Sequence, residues 1–143
     1  MRFMLLMYPG PAAETESSPT DAADGEELLH AMMAFNTRMV DAGILIAGDG
    51  LKPTRNGARV KYGRQGAVTV IDGPFAETKE VLGGYWLIDV ATLADAIAWA
   101  KQAPCPEGEF IEIRELYEPE DFGPAVAQEE RELITRMSNR SVR

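Results

Sequence analysis

Short runs of apolar residues, separated by glycine, proline and polar residues, recur along the chain and predict β-strands. Two of them flank the turn Gly63-Arg64-Gln65-Gly66, which is typical of a β-hairpin. The last run alternates apolar and charged residues, the pattern of a strand with one face on a core. The predicted strands are Arg2 to Tyr8, Ile44 to Ala47, Ala58 to Tyr62, Ala67 to Ile71, Tyr85 to Val90 and Phe110 to Leu116. Gly48-Asp49-Gly50 is expected to close the second.

Apolar residues at helical spacing predict two helices between these strands. The first runs from Glu26 to Ala42, with Asp24 as the expected N-cap and Gly43 ending it in the left-handed conformation. The second follows a capping residue, Thr92, and has Trp99 at the edge of its inward face. The expected inward residues are Leu28, Leu29, Met32, Met33, Phe35, Met39 and Val40 in the first helix, and Leu93, Ala96, Ile97 and Ala100 in the second.

The order of these elements is that of a split βαβ, ferredoxin-like α+β fold with a hairpin inserted before the third core strand. Two helices cover one face of such a sheet and leave the other bare. The second face mixes acids, aliphatic residues and Arg114, so a second subunit is the expected cover and a homodimer is predicted.

The end of the chain differs from the rest. An α+β domain is expected over residues 1–117, followed by an acidic linker and helical tail over 118–143. One side of the tail helix carries Val126, Leu133, Ile134 and Met137, and this side is expected to pack on the domain or on a neighbour.

Composition excludes several classes of function. The formal net charge of −9 repels phosphate backbones, so nucleic-acid binding is disfavoured. A lone cysteine, Cys105, and a lone histidine, His30, make neither an intrachain disulfide nor a Cys/His metal cluster. With no signal peptide or apolar run of membrane-spanning length, we expect a cytoplasmic protein that begins at Met1 and has no membrane association, cofactor or metal.

The segment from Asp72 to Glu80 reads DGPFAETKE, and Gly83-Gly84-Tyr85-Trp86 follows it. This pattern resembles the signature of the DGPF branch of the YCII-related family, and the resemblance covers roughly residues 1 to 116. It implies a dimeric α+β barrel with a cleft near each subunit's helices and central loop. Related proteins carry a His–Asp pair, and one branch includes muconolactone dehalogenases. Here Met32 stands where the histidine would fall. Members of the DGPF branch also occur beside extracytoplasmic-function sigma factors.

Two aspartates are the candidate catalytic groups. Asp72 precedes the stiff Gly73-Pro74 bend, which would fix its carboxylate at the mouth of a cleft as a general base or ligand acceptor. Alternatively the carboxylate accepts nearby backbone N–H groups. Asp49 would face Asp72 across adjacent strands and share a proton with it, or Gly48-Asp49-Gly50 is an ordinary turn.

Five further residues are candidates for binding a substrate, each with a structural alternative. Phe75 would stack on a ligand or fill the core, and Glu77 and Lys79 would clamp a polar group or form a solvated ion-pair network. Arg114 would hold a carboxylate or make a cross-strand salt bridge to neighbours of Glu112 or to the partner subunit. Of Tyr85 and Trp86, one ring is expected in the core and the other at the cleft or dimer seam, since neighbours on a strand point oppositely.

Two hypotheses about function remain open. The first is a small-molecule enzyme that performs proton transfer, isomerisation or elimination, with Asp72 or Asp49 as base and Arg114 or Lys79 holding an anion. The second is a non-catalytic module that senses a metabolite or contacts a sigma factor. It is motivated by the absence of the histidine and of any phosphate-loop or nucleophile-elbow motif.

Overall fold

A computed structural model of the chain describes residues 1–15, 18–75 and 80–140. It is an α+β structure with two antiparallel sheets and three α-helices. The strands are β1 (Arg2–Tyr8), β2 (Leu45–Gly50), β3 (Ala58–Tyr62), β4 (Val68–Asp72), β5 (Gly84–Asp89) and β6 (Phe110–Glu115), and the helices are α1 (Gly25–Asp41), α2 (Leu93–Ala100) and α3 (Pro124–Arg140).

Four strands form the main sheet in the order β2-β5-β1-β6, with every neighbouring pair antiparallel. This is the strand order of the split βαβ arrangement that the sequence predicts. The predicted hairpin is also present, because β3 and β4 pair with each other in a separate two-stranded sheet. In chain order this hairpin lies between β2 and β5.

The core lies between one face of the main sheet and the first two helices, and we call this face the helix-covered face. Leu5 faces Trp86 on one neighbouring strand and Ile113 on the other, so these three side chains share that face. Phe35 and Met39 of α1 and Ala96 of α2 close over them and are fully buried. The buried cluster comprises Phe3, Leu5, Phe35, Met39, Trp86, Ile88, Val90 and Ala96.

The helix ends follow the sequence signals only in part. Gly43 has a φ of +71°, the left-handed conformation predicted after α1, and Thr92 caps α2 by accepting from the backbone N–H of Asp95. Asp24 stands at the predicted N-cap position of α1, but its side chain makes no capping hydrogen bond. Its φ of −112° and ψ of +18° lie outside the extended region that a capping side chain needs.

The predicted inward faces of the helices were too wide. Leu29, Met33 and Val40 of α1 are exposed, as are Leu93 and Ile97 of α2. A helix on a flat sheet buries only a narrow stripe, so apolar residues beyond that stripe remain at the surface. These residues are solvent-facing within one copy of the chain.

The second strand is longer than predicted, because Gly48-Asp49-Gly50 continues β2 instead of closing it as a turn. The three residues pair with Trp86, Tyr85 and Gly84 of β5, after an irregularity in register between Leu45 and Ala47. Glycine is needed here, since a Cβ on Gly48 would come within 2.9 Å of the Trp86 ring. The Trp86 indole therefore packs directly on the backbone of Gly48.

The tail helix α3 follows a short 3-10 turn over Pro119–Asp121. Arg2 ties this turn to β1, with its Nε 2.8 Å from Oε1 and its Nη2 3.0 Å from Oε2 of Glu118. The two hydrogen bonds to this carboxylate raise the pKa of the Arg2 guanidinium. Among the described residues no helix is long and apolar enough to cross a membrane.

Candidate functional site

A large cleft of about 1590 Å³ opens at the edge of the main sheet. One wall is the part of α1 from Gly25 to Asn36, with Leu28 and Met32. The opposite walls are the end of β2 and the segment that leads into β5, together with the N-terminal turn at Pro11–Glu14. Gly50 lies on its floor, where a Cβ would meet no atom within 4 Å. Because Gly50 has no side chain, the end of β2 leaves space for a ligand.

The inner wall is held by a buried aromatic pair. Trp86 packs edge-on against Phe35, with ring centroids 5.5 Å apart and planes at 85°. Its Nε1 donates a hydrogen bond to Oδ1 of Asn36 at 2.8 Å. Oδ1 accepts from the indole, so Nδ2 is the hydrogen-bond donor of Asn36, a residue that also lines the cleft.

Asp49 and Tyr85 form a polar pair at the rim. They are opposite each other on β2 and β5, and the Tyr85 hydroxyl donates to Oδ2 of Asp49 at 3.1 Å. Their register places both side chains on the face of the sheet away from the helices. Both residues nevertheless line the cleft, which therefore extends past the edge strand β2. The hydrogen bond and the carboxylate charge raise the pKa of Tyr85. No described residue makes a hydrogen bond to Oδ1 of Asp49.

Glu14 connects the N-terminal turn to the loop that follows β2. Its carboxylate accepts from the backbone N–H of Thr54 at 3.2 Å and from the Thr54 hydroxyl, while its own carbonyl accepts from Arg55 Nη1 at 2.7 Å. The Thr54 hydroxyl oxygen in turn accepts from the backbone N–H of Phe75 at 3.3 Å. The described start of the signature segment, from Asp72 to Phe75, is therefore tied to a cleft wall through Thr54 and Glu14.

The bend after Asp72 packs tightly on that same loop. The backbone N–H of Gly73 donates to the Gly57 carbonyl at 2.9 Å, and a Cβ on Gly73 would lie 1.7 Å from the Thr54 carbonyl oxygen. The Gly73–Pro74 peptide bond is cis. Only glycine fits at position 73, so the bend is a docking point between the hairpin and the loop.

Asp72 itself is placed differently from its prediction. It is exposed at the end of β4, and it is not among the residues that line the large cleft or the smaller neighbouring cavity. Within the described ranges no backbone N–H donates to its carboxylate. Asp49 and Asp72 are not on adjacent strands, since β2 pairs with β5 and β4 pairs with β3.

The predicted binding residues separate into three places. Tyr85 lies at the cleft rim, opposite the buried Trp86, as the alternation along β5 predicts. Phe75 is half-buried outside the core, and it lines the smaller cavity of about 420 Å³ with the Arg59 guanidinium 3.8 Å above its ring. Glu77 and Lys79 fall outside the described residues.

Arg114 lies far from the cleft in the fold. It is on β6, the opposite edge strand of the main sheet, and pairs along its own strand with Glu112 at 3.7 Å. This pair differs from the expected salt bridge, which would run across strands to neighbours of Glu112 or to a partner subunit. Two strands separate β6 from β2, so one chain does not bring Arg114 and Asp49 together.

Several cleft residues carried only a weak signal in the sequence. Asn36 is a polar residue on a helix and Lys52 is a polar residue in a loop, which is ordinary for both places, yet both line the cleft. Glu14 stood in a polar stretch without periodicity, which predicted a plain surface loop. Met32, at the position of the histidine in related proteins, also lines the cleft. His30 is exposed on α1, 3.7 Å from Glu26.

Comparison with known proteins gives one clear relationship. The profile of the YCII-related domain matches residues 1–120. An uncharacterised protein of Rhizobium meliloti (strain 1021) is 36% identical over 88 residues, which is 62% of this chain and 70% of that protein. A solved structure, 5-chloro-2-hydroxyhydroquinone dehydrochlorinase from Burkholderia phenoliruptrix AC1100 in complex with 2,5-dihydroxybenzoquinone, covers 82% of this chain and 95% of its own at 9% identity and a TM-score of 0.45. That likeness is too weak to carry chemistry over.

Proposed function

The chain belongs to the YCII-related family, and we propose that its edge cleft binds a small molecule and performs acid/base chemistry on it, of proton-transfer, isomerase or lyase type. The cleft, with its apolar wall on α1 and a few polar groups at the rim, has the make-up of a substrate site. The finer assignment of the DGPF branch rests on the signature segment alone.

Asp49 is the proposed base. The observation that carries this proposal is that Asp49 is one of the residues at the cleft rim, with Oδ2 held by Tyr85 and Oδ1 without a hydrogen bond from the described residues. An oriented carboxylate with one open oxygen can remove a proton from a bound substrate and return it elsewhere on the same molecule. The raised pKa of Tyr85 keeps the phenol protonated, so it remains a donor to Asp49 through neutral pH.

Lys52 and Asn36 would orient the substrate. The exposed Lys52 lies at the mouth and lines both cavities, where its ammonium group would attract an anionic substituent. Asn36 would hold a polar group deeper along α1. In this proposal Lys52 takes the anion-binding role that the sequence assigned to Arg114 or Lys79, and Asp72 takes no part in one copy's cleft.

The first test is a thermal-shift screen of a metabolite library. We expect compounds that raise the Tm of the wild-type protein and fail to do so with Gly50→Val, which fills the floor of the cleft. The matched control is Asp41→Asn at the exposed end of α1, which should respond as the wild type does. A hit that stabilises the Gly50→Val variant equally would place its site elsewhere.

We also propose a homodimer that covers the bare face of the main sheet. That face carries Met4, Leu6 and Leu87 at its centre and the exposed Phe110 at one edge strand. Burying such a patch against a second copy is a usual solution for a one-sided sheet. Light scattering at micromolar concentration should give twice the chain mass, and Leu6→Glu should halve it.

A non-catalytic metabolite-binding or regulatory module is the second candidate. The observation that favours it is an exposed apolar face on the hairpin, formed by Val60, Tyr62, Val68 and Val70. Such a face suits contact with another protein, and the resemblance to the DGPF branch suggests a sigma factor. Retention of a sigma factor from cell extract by the wild type and not by Val70→Glu, without turnover of any thermal-shift hit, would favour this candidate.

A further inference from the structure

The tail helix α3 carries a stripe of large apolar side chains that its own chain leaves uncovered. Val126, Leu133 and Met137 follow each other at spacings of seven and four residues, which returns them to nearly the same side of a helix. Ile134 borders them, and all four are between 38% and 62% exposed. In the described part of α3, only the small Ala127 is buried.

This stripe needs an apolar partner. The helix is fixed at its root, where Glu118 binds Arg2 and Arg131 pairs with Glu120 at 3.2 Å. The whole helix is 17 residues long, and most of the stability of such a helix comes from packing of its apolar face. The segment also lies beyond residues 1–120, which match the YCII-related domain.

The charges beside the stripe select the partner. Glu129 and Arg136 flank it on the side away from Ala127. In an antiparallel pair of identical helices centred near Glu132, Glu129 of each copy stands beside Arg136 of the other. With Glu132 at the centre, Val126 faces a position within one residue of Met137 of the other copy, and Glu129 faces a position within one residue of Arg136. A parallel pair would instead bring Glu129, Glu130 and Glu132 beside the same three acids.

We propose that α3 is an interaction surface for α3 of a second copy of this chain, paired antiparallel through Val126, Leu133 and Met137. The proposal goes beyond the cleft chemistry and beyond the contact between sheets, because it concerns a segment that neither includes. It assigns the tail to setting the orientation of the two copies, in addition to the contact between sheets.

Disulfide cross-linking of the full chain tests this arrangement. Cys105→Ser removes the native thiol, and Val126→Cys and Met137→Cys are then added singly and together. Within one helix these positions are about 16 Å apart along the axis, so no intrachain bond can form. Mild oxidation should link the double-cysteine variant into covalent dimers about tenfold faster than either single variant. The antiparallel pair sets position 126 of one copy beside position 137 of the other, and only the double variant has a thiol at both.

Charge reversal sharpens the result. In the double-cysteine background, Arg136→Glu should slow cross-linking because it meets Glu129 of the other copy, and adding Glu129→Arg should restore the rate. Thr135→Glu, on the opposite side of the helix, is the matched control and should leave the rate unchanged. Equal rates for the single and double cysteine variants, or failure of the second charge change to restore the rate, would overturn the antiparallel pair.

Discussion

The strands of the main sheet and of the hairpin contain similar apolar residues, but these residues are buried in the main sheet and exposed in the hairpin. In β1 and β5 the alternate residues Phe3, Leu5, Trp86 and Ile88 are buried under two helices. In β3 and β4 all residues are exposed, including Val60 at 51% and Tyr62 at 83%. The strand sequences do not explain this difference in burial. Two helices pack on the main sheet, whereas no element of the described chain packs as a second layer on the two-stranded hairpin.

The largest expected effect on stability separates these two regions directly. Phe35→Ala should lower the free energy of unfolding by about 3–5 kcal/mol, because it empties the space between α1 and Trp86. Val70→Thr keeps a β-branched residue on the exposed hairpin and should change it by less than about 0.5 kcal/mol. Urea denaturation of both variants measures the contrast. Similar losses would mean that the hairpin is covered in solution.

A smaller effect is expected where the hairpin docks on the loop after β2. Gly73→Ala should cost about 1–3 kcal/mol, since its Cβ would overlap the Thr54 carbonyl and force the backbone apart. Gly50→Ala is the matched control, because its Cβ meets nothing within 4 Å and the cost should stay within about 0.5 kcal/mol. Chemical denaturation with amide exchange at Phe75 tests this. Equal tolerance at both positions would show that the bend is loosely packed.

The smallest effect concerns the titration of Tyr85. Its pKa is raised in the folded chain by Asp49, so its contribution to stability is present below the ordinary tyrosine pKa of about 10 and is lost as pH rises through the folded value. Asp49→Asn should lower the pKa of Tyr85. Phenolate absorbance, taken as the difference from Tyr85→Phe, follows this group alone. An unchanged titration in Asp49→Asn would show that the hydrogen bond does not form.

Periodicity predicted the fold better than it predicted the site. Alternation predicted that β6 has one face on the core, and the structure shows Ile111 and Ile113 on that face. The turn at Gly63-Arg64-Gln65-Gly66 predicted the hairpin. The same local rules assigned Gly48-Asp49-Gly50 to a turn, because glycine usually breaks a strand. Here packing of the Trp86 indole on Gly48 decided the outcome, and that contact joins residues distant in sequence.

The candidate site depended on which strands become neighbours, and the sequence left this open. Asp72 and Asp49 both follow apolar runs, yet only Asp49 lies at the edge where α1 and β2 leave a cleft. Glu14 gained its position from three hydrogen bonds to a loop about 40 residues away, which no local pattern encodes. The signature segment marks the family, and its structural contacts run through Thr54 to the wall of the cleft.

The most direct test of the proposed function compares two aspartate variants on one substrate found by the thermal-shift screen. Asp49→Asn should lower kcat by about a hundredfold or more, the usual loss when a general base is removed, with little change in Tm. Asp72→Asn should retain kcat within about twofold, since its carboxylate lies outside the cleft. Loss of turnover in Asp72→Asn with full activity in Asp49→Asn would contradict the assignment of Asp49 as the base.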